Sequence, residues 1–278
     1  MKVLSASQIR SADACTIEKE FIASIDLMER ASRQLYYWFR DCMDPRLPLF
    51  VFTGMGNNGG DGLALSRMLL LAGRQVHTIV INHSKSGSPD FDVNLKRLEL
   101  LDSKIETVSS VSDLPDIDSN AILIDAILGT GLNAPLRGLI AEVVSHLNSM
   151  DQLKVSLDIP TGLFAENNSS ENLKQVFKAD YTLSFQTPKL SFLLPDSGNF
   201  VGEFHILDIG LNQEFIDEVQ SDKFYITSDM VRSFYKRKDK FSHKGSNGHT
   251  LIIAGSLGKY GASQLSAITR GSSPPRGH

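Results

Sequence analysis

Leu49-Phe50-Val51-Phe52-Thr53-Gly54-Met55-Gly56-Asn57-Asn58-Gly59-Gly60-Asp61-Gly62 decides how the chain reads. The first five residues form an apolar, β-compatible run. Beyond the glycines, Leu63, Leu65, Met68, Leu69 and Leu71 carry a helical period. Strand, glycine turn and helix together aim free backbone N–H groups and a helix N-terminus at an anion, usually a phosphate. Glycine is expected there because a Cβ would block the tight turn and the approach of the ligand. As Gly54-x-Gly56-x-x-Gly59 the turn fits the dinucleotide fingerprint, a weak signal alone. The next strand ends at Ile79-Val80-Ile81-Asn82-His83, without the acidic residue that the fingerprint places there. Gly60 and Asp61 stand where a Walker A loop has Lys and Ser or Thr, which excludes that loop. A structural turn is the alternative, but Asn57, Asn58 and Asp61 offer side-chain oxygens that such a turn does not need.

Around this stretch the pattern predicts helices at 5–20, with Ser5 or Ser7 as N-cap, and at 24–40. Tyr36-Tyr37-Trp38-Phe39 suits a packing face or a dimer interface. Strands are expected at 49–53, 76–81, 105–108, 121–124 and 154–157, alternating with helices at 90–101 and 138–148. Further strands are expected at 181–185, 190–194 and 203–207. This spacing predicts an α/β fold, a Rossmann-like three-layer α/β/α arrangement around a mostly parallel sheet. Asn167-Asn168-Ser169-Ser170 reads as an exposed loop.

Three further loops follow strands, and in an open parallel sheet such loops gather at one edge. Asp125 opens the first, followed by Gly129-Thr130-Gly131-Leu132-Asn133-Ala134-Pro135 and then Arg137. Its glycines can expose N–H groups to a second anionic group, although Asp125 could simply cap the loop. In Ser156-Leu157-Asp158-Ile159-Pro160-Thr161-Gly162 a strand-end carboxylate precedes a proline and is placed for acid/base work, or for capping Thr161 and Gly162. In Phe185-Gln186-Thr187-Pro188-Lys189 the lysine alone would read as a solvated charge. Near a strand-end carboxylate it becomes a candidate acid/base or phosphate partner.

The 278 residues are 41% apolar with a net charge of -4, so no basic field argues for nucleic acid, and Lys236-Arg237-Lys238 reads as a solvated turn. Cys15 and Cys42 lack metal-ligand or disulfide spacing, which suits a reducing compartment. Asp13, Glu18, Lys19 and Glu20 interrupt any signal-peptide core, and nothing approaches the roughly 18 apolar residues of a membrane span. A soluble cytoplasmic protein is expected.

Asn57-Asn58-Gly59-Gly60-Asp61-Gly62 resembles the signature of the NAD(P)H-hydrate epimerase family, the YjeF N-terminal domain, and the other three loops match that family in order and approximate spacing. The resemblance covers roughly residues 1–215. It implies interconversion of the R and S forms of NADHX and NADPHX, nicotinamide cofactors hydrated across a ring double bond. It further implies substrate binding by Asn57, Asn58, Gly59, Gly60 and Asp61, by Gly129 through Pro135, and by Asp158. It implies a potassium ion on Asn58, Asp125 and Thr161, where the family often has serine at the last position. Asp158 and Lys189 are implied as the catalytic pair, and a homodimer as the assembly.

Residues 240–249 and Leu251-Ile252-Ile253-Ala254-Gly255-Ser256 resemble the opening of the ADP- or ATP-dependent NAD(P)H-hydrate dehydratase domain, a ribokinase-like fold. The expected division is therefore an epimerase domain at 1–220 and, at 221–278, a linker with that domain's first strand and the start of a helix. The family's Gly-x-Gly-Asp loop is absent, so dehydratase activity is expected to be missing. The last eight residues do not continue the pattern and read as a truncated or altered end, and poor order is expected after about residue 240. Two other classes stand beside the epimerase. An NAD-dependent oxidoreductase is disfavoured by the missing acidic residue, and a non-catalytic scaffold by the presence of Asp61, Asp125 and Asp158.

Overall fold

The computed structural model describes residues 1–101, 103–235, 241 and 251–271, without the side chains of 269–271. Two compact units are present, Met1–Ile226 and Thr227–His278. In the first, α1 (Ala6–Glu20) and α2 (Ser24–Cys42) precede β1 (Leu49–Thr53), α3 (Asn57–Leu71), β2 (Val76–Ile81), α4 (Pro89–Glu99) and β3 (Ile105–Val108). Then come β4 (Ile122–Ala126), α5 (Gly138–Asn148), β5 (Leu153–Leu157), β6 (Tyr181–Phe185), the single turn α6 (Pro195–Gly198), β7 (Glu203–Leu207) and α7 (Gln213–Glu218).

The strands form one seven-stranded sheet, β3-β2-β1-β4-β5-β6-β7, in which every pair is parallel. Strand order reverses between β1 and β4, and the loops leaving their carboxyl ends part there and open a crevice. Continuous apolar strands are explained by two faces. Leu49, Val51, Ile122, Ile124, Val155 and Leu157 pack under α1, α2 and α3. Phe50, Phe52, Ile79, Ile81 and Leu123 pack against α5. A strand covered on both sides has no polar face to alternate with.

Ser5 caps α1 through a capping box with Gln8, worth about 0.5–2 kcal/mol. The Lys2 ammonium donates to the carbonyls of Ile216, Asp217 and Val219 at 3.0, 2.6 and 2.8 Å, closing the C-terminal end of α7. Trp38 and Phe39 are buried, and Trp38 packs on Tyr181 and His205. The aromatic run of α2 is thus mainly a packing face.

Two expected strands do not form. Leu190–Leu193 is a 3-10 turn, because Pro188 and Pro195 bracket it and Phe192 N–H turns back to the Lys189 carbonyl at 3.1 Å. In the second unit α8 (Ser228–Phe234) and α9 (Gly261–Gly271) are helical, but Leu251–Gly255 is irregular and Ser256 makes one isolated bridge to Lys259. Among the described residues this segment has no neighbouring strand, and a lone strand leaves its backbone groups unpaired. The cluster at 236–238 and most of the 240–249 motif lie outside the described residues, as do the last seven positions. The expectation of poor order after residue 240 therefore falls in part outside them, on 242–250 and 272–278.

Candidate active site

At the reversal of strand order lies a cleft of about 520 Å³. It is built from the ends of four strands and from α1 and α2.

The β1 end supplies an anion seat. Gly56 is the N-cap of α3 and no side chain caps the helix, so the first N–H groups of a fifteen-residue helix are free to meet an anion. The glycines keep the turn tight and the ligand side open, as the sequence suggested, and also serve the packing of α3. A Cβ on Gly59 would lie 1.8 Å from the Gly54 carbonyl oxygen, and one on Gly62 would lie 2.6 Å from the Ala126 Cβ. These glycines let α3 press against the sheet. Gly56 and Gly131 have open space around them, and these two leave room for a ligand.

Asn57, Asn58, Asp61, Gly129, Thr130, Gly131, Leu132 and Asp158 all line the cleft. Gly59 and Gly60 are buried in the first turn of α3, below the surface. Asn133 and Ala134 are exposed and Pro135 half-buried, farther along the loop. Neither nitrogen nor oxygen of the Asn58 amide has a partner, although both are buried. Behind it the wholly buried Asp125 carboxylate accepts from Ser156 Oγ at 3.0 Å, Thr161 N–H at 2.8 Å, Thr161 Oγ1 at 2.6 Å and Ile127 N–H at 3.2 Å. Even with these donors, burial pushes its carboxyl above the usual range.

The ends of β5 and β6 bring the chemistry. Asp158 and Gln186 both hold positive φ, 61° and 60°. Each is the centre of a tight turn, with Ile159 N–H to the Leu157 carbonyl at 2.8 Å and Thr187 N–H to the Phe185 carbonyl at 2.7 Å. Non-glycine residues in this region carry about 1–3 kcal/mol of strain and cluster at functional sites. The turns swing Asp158 and Gln186 into the cleft. They also bring Lys189 under Asp158. Its Nζ donates to Asp158 Oδ1 at 2.7 Å, Ser184 Oγ at 3.0 Å and the Phe185 carbonyl at 3.3 Å. Lys189 is 1% exposed, far from the solvated charge that a Pro-Lys turn implies.

Two more carboxylates complete the site. Asp61 is buried at the cleft wall, and its carboxyl is pushed well up by burial and then by Asp158 and Asp13. Asp13, from α1, also lines the cleft. Its carboxyl is raised to about 6 by burial and by Asp158, with Lys189 acting against the shift. Sequence reasoning missed Asp13 as a site residue. The available signal was a carboxylate between Ile9 and Ile17 at i, i+4, i+8 spacing, where a packing helix carries an aliphatic residue.

Such a crevice defines the class: a Rossmann-like α/β protein with a candidate ligand site at the switch point of a parallel sheet. More narrowly, residues 24–191 match the family described as YjeF-related protein N-terminus, and the chain belongs to that family. It is 33% identical over 213 residues to a Rhodopirellula baltica protein named NAD(P)H-hydrate epimerase, covering 77% of this chain and 86% of that relative. It is 28% identical over 274 residues to the Bifunctional NAD(P)H-hydrate repair enzyme Nnr of Moorella thermoacetica, covering 96% of this chain but 51% of that relative. The chain thus spans about half the length of this bifunctional relative. The fold is similar to the crystal structure of yeast ynu0, with a TM-score of 0.66 at 20% identity, covering 83% of this chain and 98% of that one.

Proposed function

We propose that the chain interconverts the R and S forms of NADHX and NADPHX, as an isomerase of nicotinamide-cofactor repair. The observation that carries this reading is the buried Lys189–Asp158 pair, 2.7 Å apart, beside a helix N-terminus open to a pyrophosphate. Family membership and the relatives' names supply the substrate.

The reacting C6 carbon is a hemiaminal. A proton delivered to its hydroxyl oxygen lets the C6–O bond break, and the bonding pair leaves with water. The ring-nitrogen lone pair forms a C=N bond in its place. Water then adds to the opposite face through its own lone pair, the C=N pair returns to nitrogen, and the surplus proton passes to a carboxylate. Nothing is oxidised. Asp158 moves the proton at the C6 oxygen, and Lys189 Nζ, fixed by Ser184, balances charge beside it. Asn57 to Asp61 and Gly129 to Pro135 hold the nucleotide.

The proposal includes potassium on Asn58, Asp125 and Thr161. A partnerless buried amide, a wholly buried carboxylate and an all-oxygen donor set fit a hard monovalent cation. Held there, such an ion would supply positive charge to an anionic substrate. Among the described residues no group of three or more His, Cys, Asp and Glu could hold a metal, and no helix is long and apolar enough to cross a membrane.

The proposal also takes residues 1–220 as the epimerase domain and 221–278 as a linker with the opening of a ribokinase-like dehydratase domain. The longer alignment with the bifunctional relative supports this division. It takes a cytoplasmic location, supported by the free Cys15 and Cys42, and no nucleic-acid partner, supported by the net charge of -4, and adopts the homodimer from the family resemblance. The test is to incubate purified chain with S- or R-NADHX, with potassium or without it, and to separate the epimers by chromatography. Accelerated equilibration that weakens without potassium is expected. Nucleotide binding without acceleration would sink the reading in favour of a binding module.

A further inference from the structure

We propose that Asp13 is the second proton-transfer group of the site, serving the face of the nicotinamide ring that Asp158 does not. The inference rests on the epimerase reading and begins from its stereochemistry. Water leaves one face of a planar ring and returns to the other, and one carboxylate cannot face both. The R-to-S path run backwards is the S-to-R path, so the group that acts as acid in one direction is the base in the other. Two proton-exchanging groups, one for each face, are therefore required.

Asp158 is one, and the cleft offers three further carboxylates, Asp13, Asp61 and Asp90. Asp90 sits at the rim and accepts from Ser24 Oγ at 2.7 Å. Asp61 is so deeply buried that its carboxyl is driven well above the usual range. It lies near the N-terminal end of α3 on the half of the cleft that seats the nucleotide, where Ser32 Oγ donates to its Oδ1 at 3.5 Å. Asp13 is raised only to about 6 and can cycle.

Its placement is built into α1. Ala12 and Thr16 are fully buried. Thr16 Oγ1 donates to the Ala12 carbonyl at 2.7 Å and accepts from Asn212 N–H at 2.8 Å, which locks the rotation of the helix. Ile9, Asp13 and Ile17 are thereby turned to the cleft. Hydrogen bonding plays no part in setting the Asp13 carboxyl; burial, Asp158 and Lys189 do. The carboxylate that performs the first proton transfer and the ammonium beside it thus tune the second group. The other charges at this cleft are Arg10 on the same helix, Asp61 on α3 and Asp90 on α4.

The test compares wild type, Asp13→Asn and Asp13→Glu in both directions across pH 5–8. In Asp13→Asn, kcat is expected to fall at least about 100-fold both ways with KM nearly unchanged. The fall of kcat/KM through about pH 6, as the proton shared by Asp13 and Asp158 is lost, is expected to vanish, and Asp13→Glu should restore part of the rate. Because Asn removes a buried charge, this variant should melt no lower than wild type at pH 7 and should still bind nucleotide. Near wild-type kcat in Asp13→Asn, or a pH limb that persists there, would overturn the assignment. Loss of nucleotide binding in step with the rate would overturn it too, as a structural effect. An inactive wild type would remove it together with the epimerase reading, so the two failures are distinguishable.

Discussion

The cleft has two kinds of strand end. β1 and β4 meet it through glycine-rich segments, with an uncapped helix and a loop of small residues. β5 and β6 meet it through Asp158 and Gln186, non-glycine residues held at positive φ, with a buried lysine beneath. The first pair offers backbone donors and space and suits a seat for an anionic ligand. The second offers side chains fixed by strain and by an ion pair and suits proton transfer. Binding can be built from groups that every residue carries, whereas proton transfer needs particular side chains at defined atoms.

Removing Lys189 should break that division most severely. Lys189→Met leaves Asp158 half-enclosed with no counter-charge, which costs about 3–5 kcal/mol for a buried pair. A large fall in melting temperature is expected, and the double variant with Asp158→Asn should recover most of it. The pH dependence comes next. The folded-state carboxyl of Asp13 is raised from 3.8 to about 6. Its contribution to stability is therefore complete below about pH 4 and is lost as pH rises through about 6. Denaturant unfolding should show a decline of about 2–3 kcal/mol from this group across that window, and Asp13→Asn should flatten it. Asp61, raised for the same reason, acts in the same sense.

The glycine side gives smaller effects that sharpen the contrast. Gly59→Ala drives a Cβ into the Gly54 carbonyl and should cost about 1–3 kcal/mol or more. Gly56→Ala meets nothing within 4 Å. It should cost less than about 1 kcal/mol of stability, as an N-cap change, and raise KM for the nucleotide. Equal stability losses at the two positions would contradict the roles given to them.

Much of this site is legible in sequence because parallel topology gathers strand ends without reference to partners. Gly54 to Gly62, Asp125, Asp158 and Lys189 could be placed at one edge from alternation alone. What could not be read depends on tertiary burial or on backbone conformation. Nothing in Pro188-Lys189 shows that the ammonium is enclosed, and nothing in Leu157-Asp158-Ile159 marks a left-handed residue, since Asp tolerates many conformations. Asp13 looked like one of several charges on a short helix until the packing of Ala12 and Thr16 fixed which way it faced. The 190–194 run had strand composition, but the prolines on either side and the local turn prevailed. Gly62 carried the right residue type with a further physical reason behind it, the close approach of α3 to Ala126.

The proposed division of the cleft gives proton transfer to Asp158 and binding to the glycine half. It is tested most directly by epimerisation of S- and R-NADHX with Asp158→Asn beside wild type, with nucleotide affinity measured on the same preparations. A fall in kcat of about 100- to 10,000-fold with affinity unchanged is the predicted result. Near wild-type epimerisation by Asp158→Asn at unchanged affinity would contradict it.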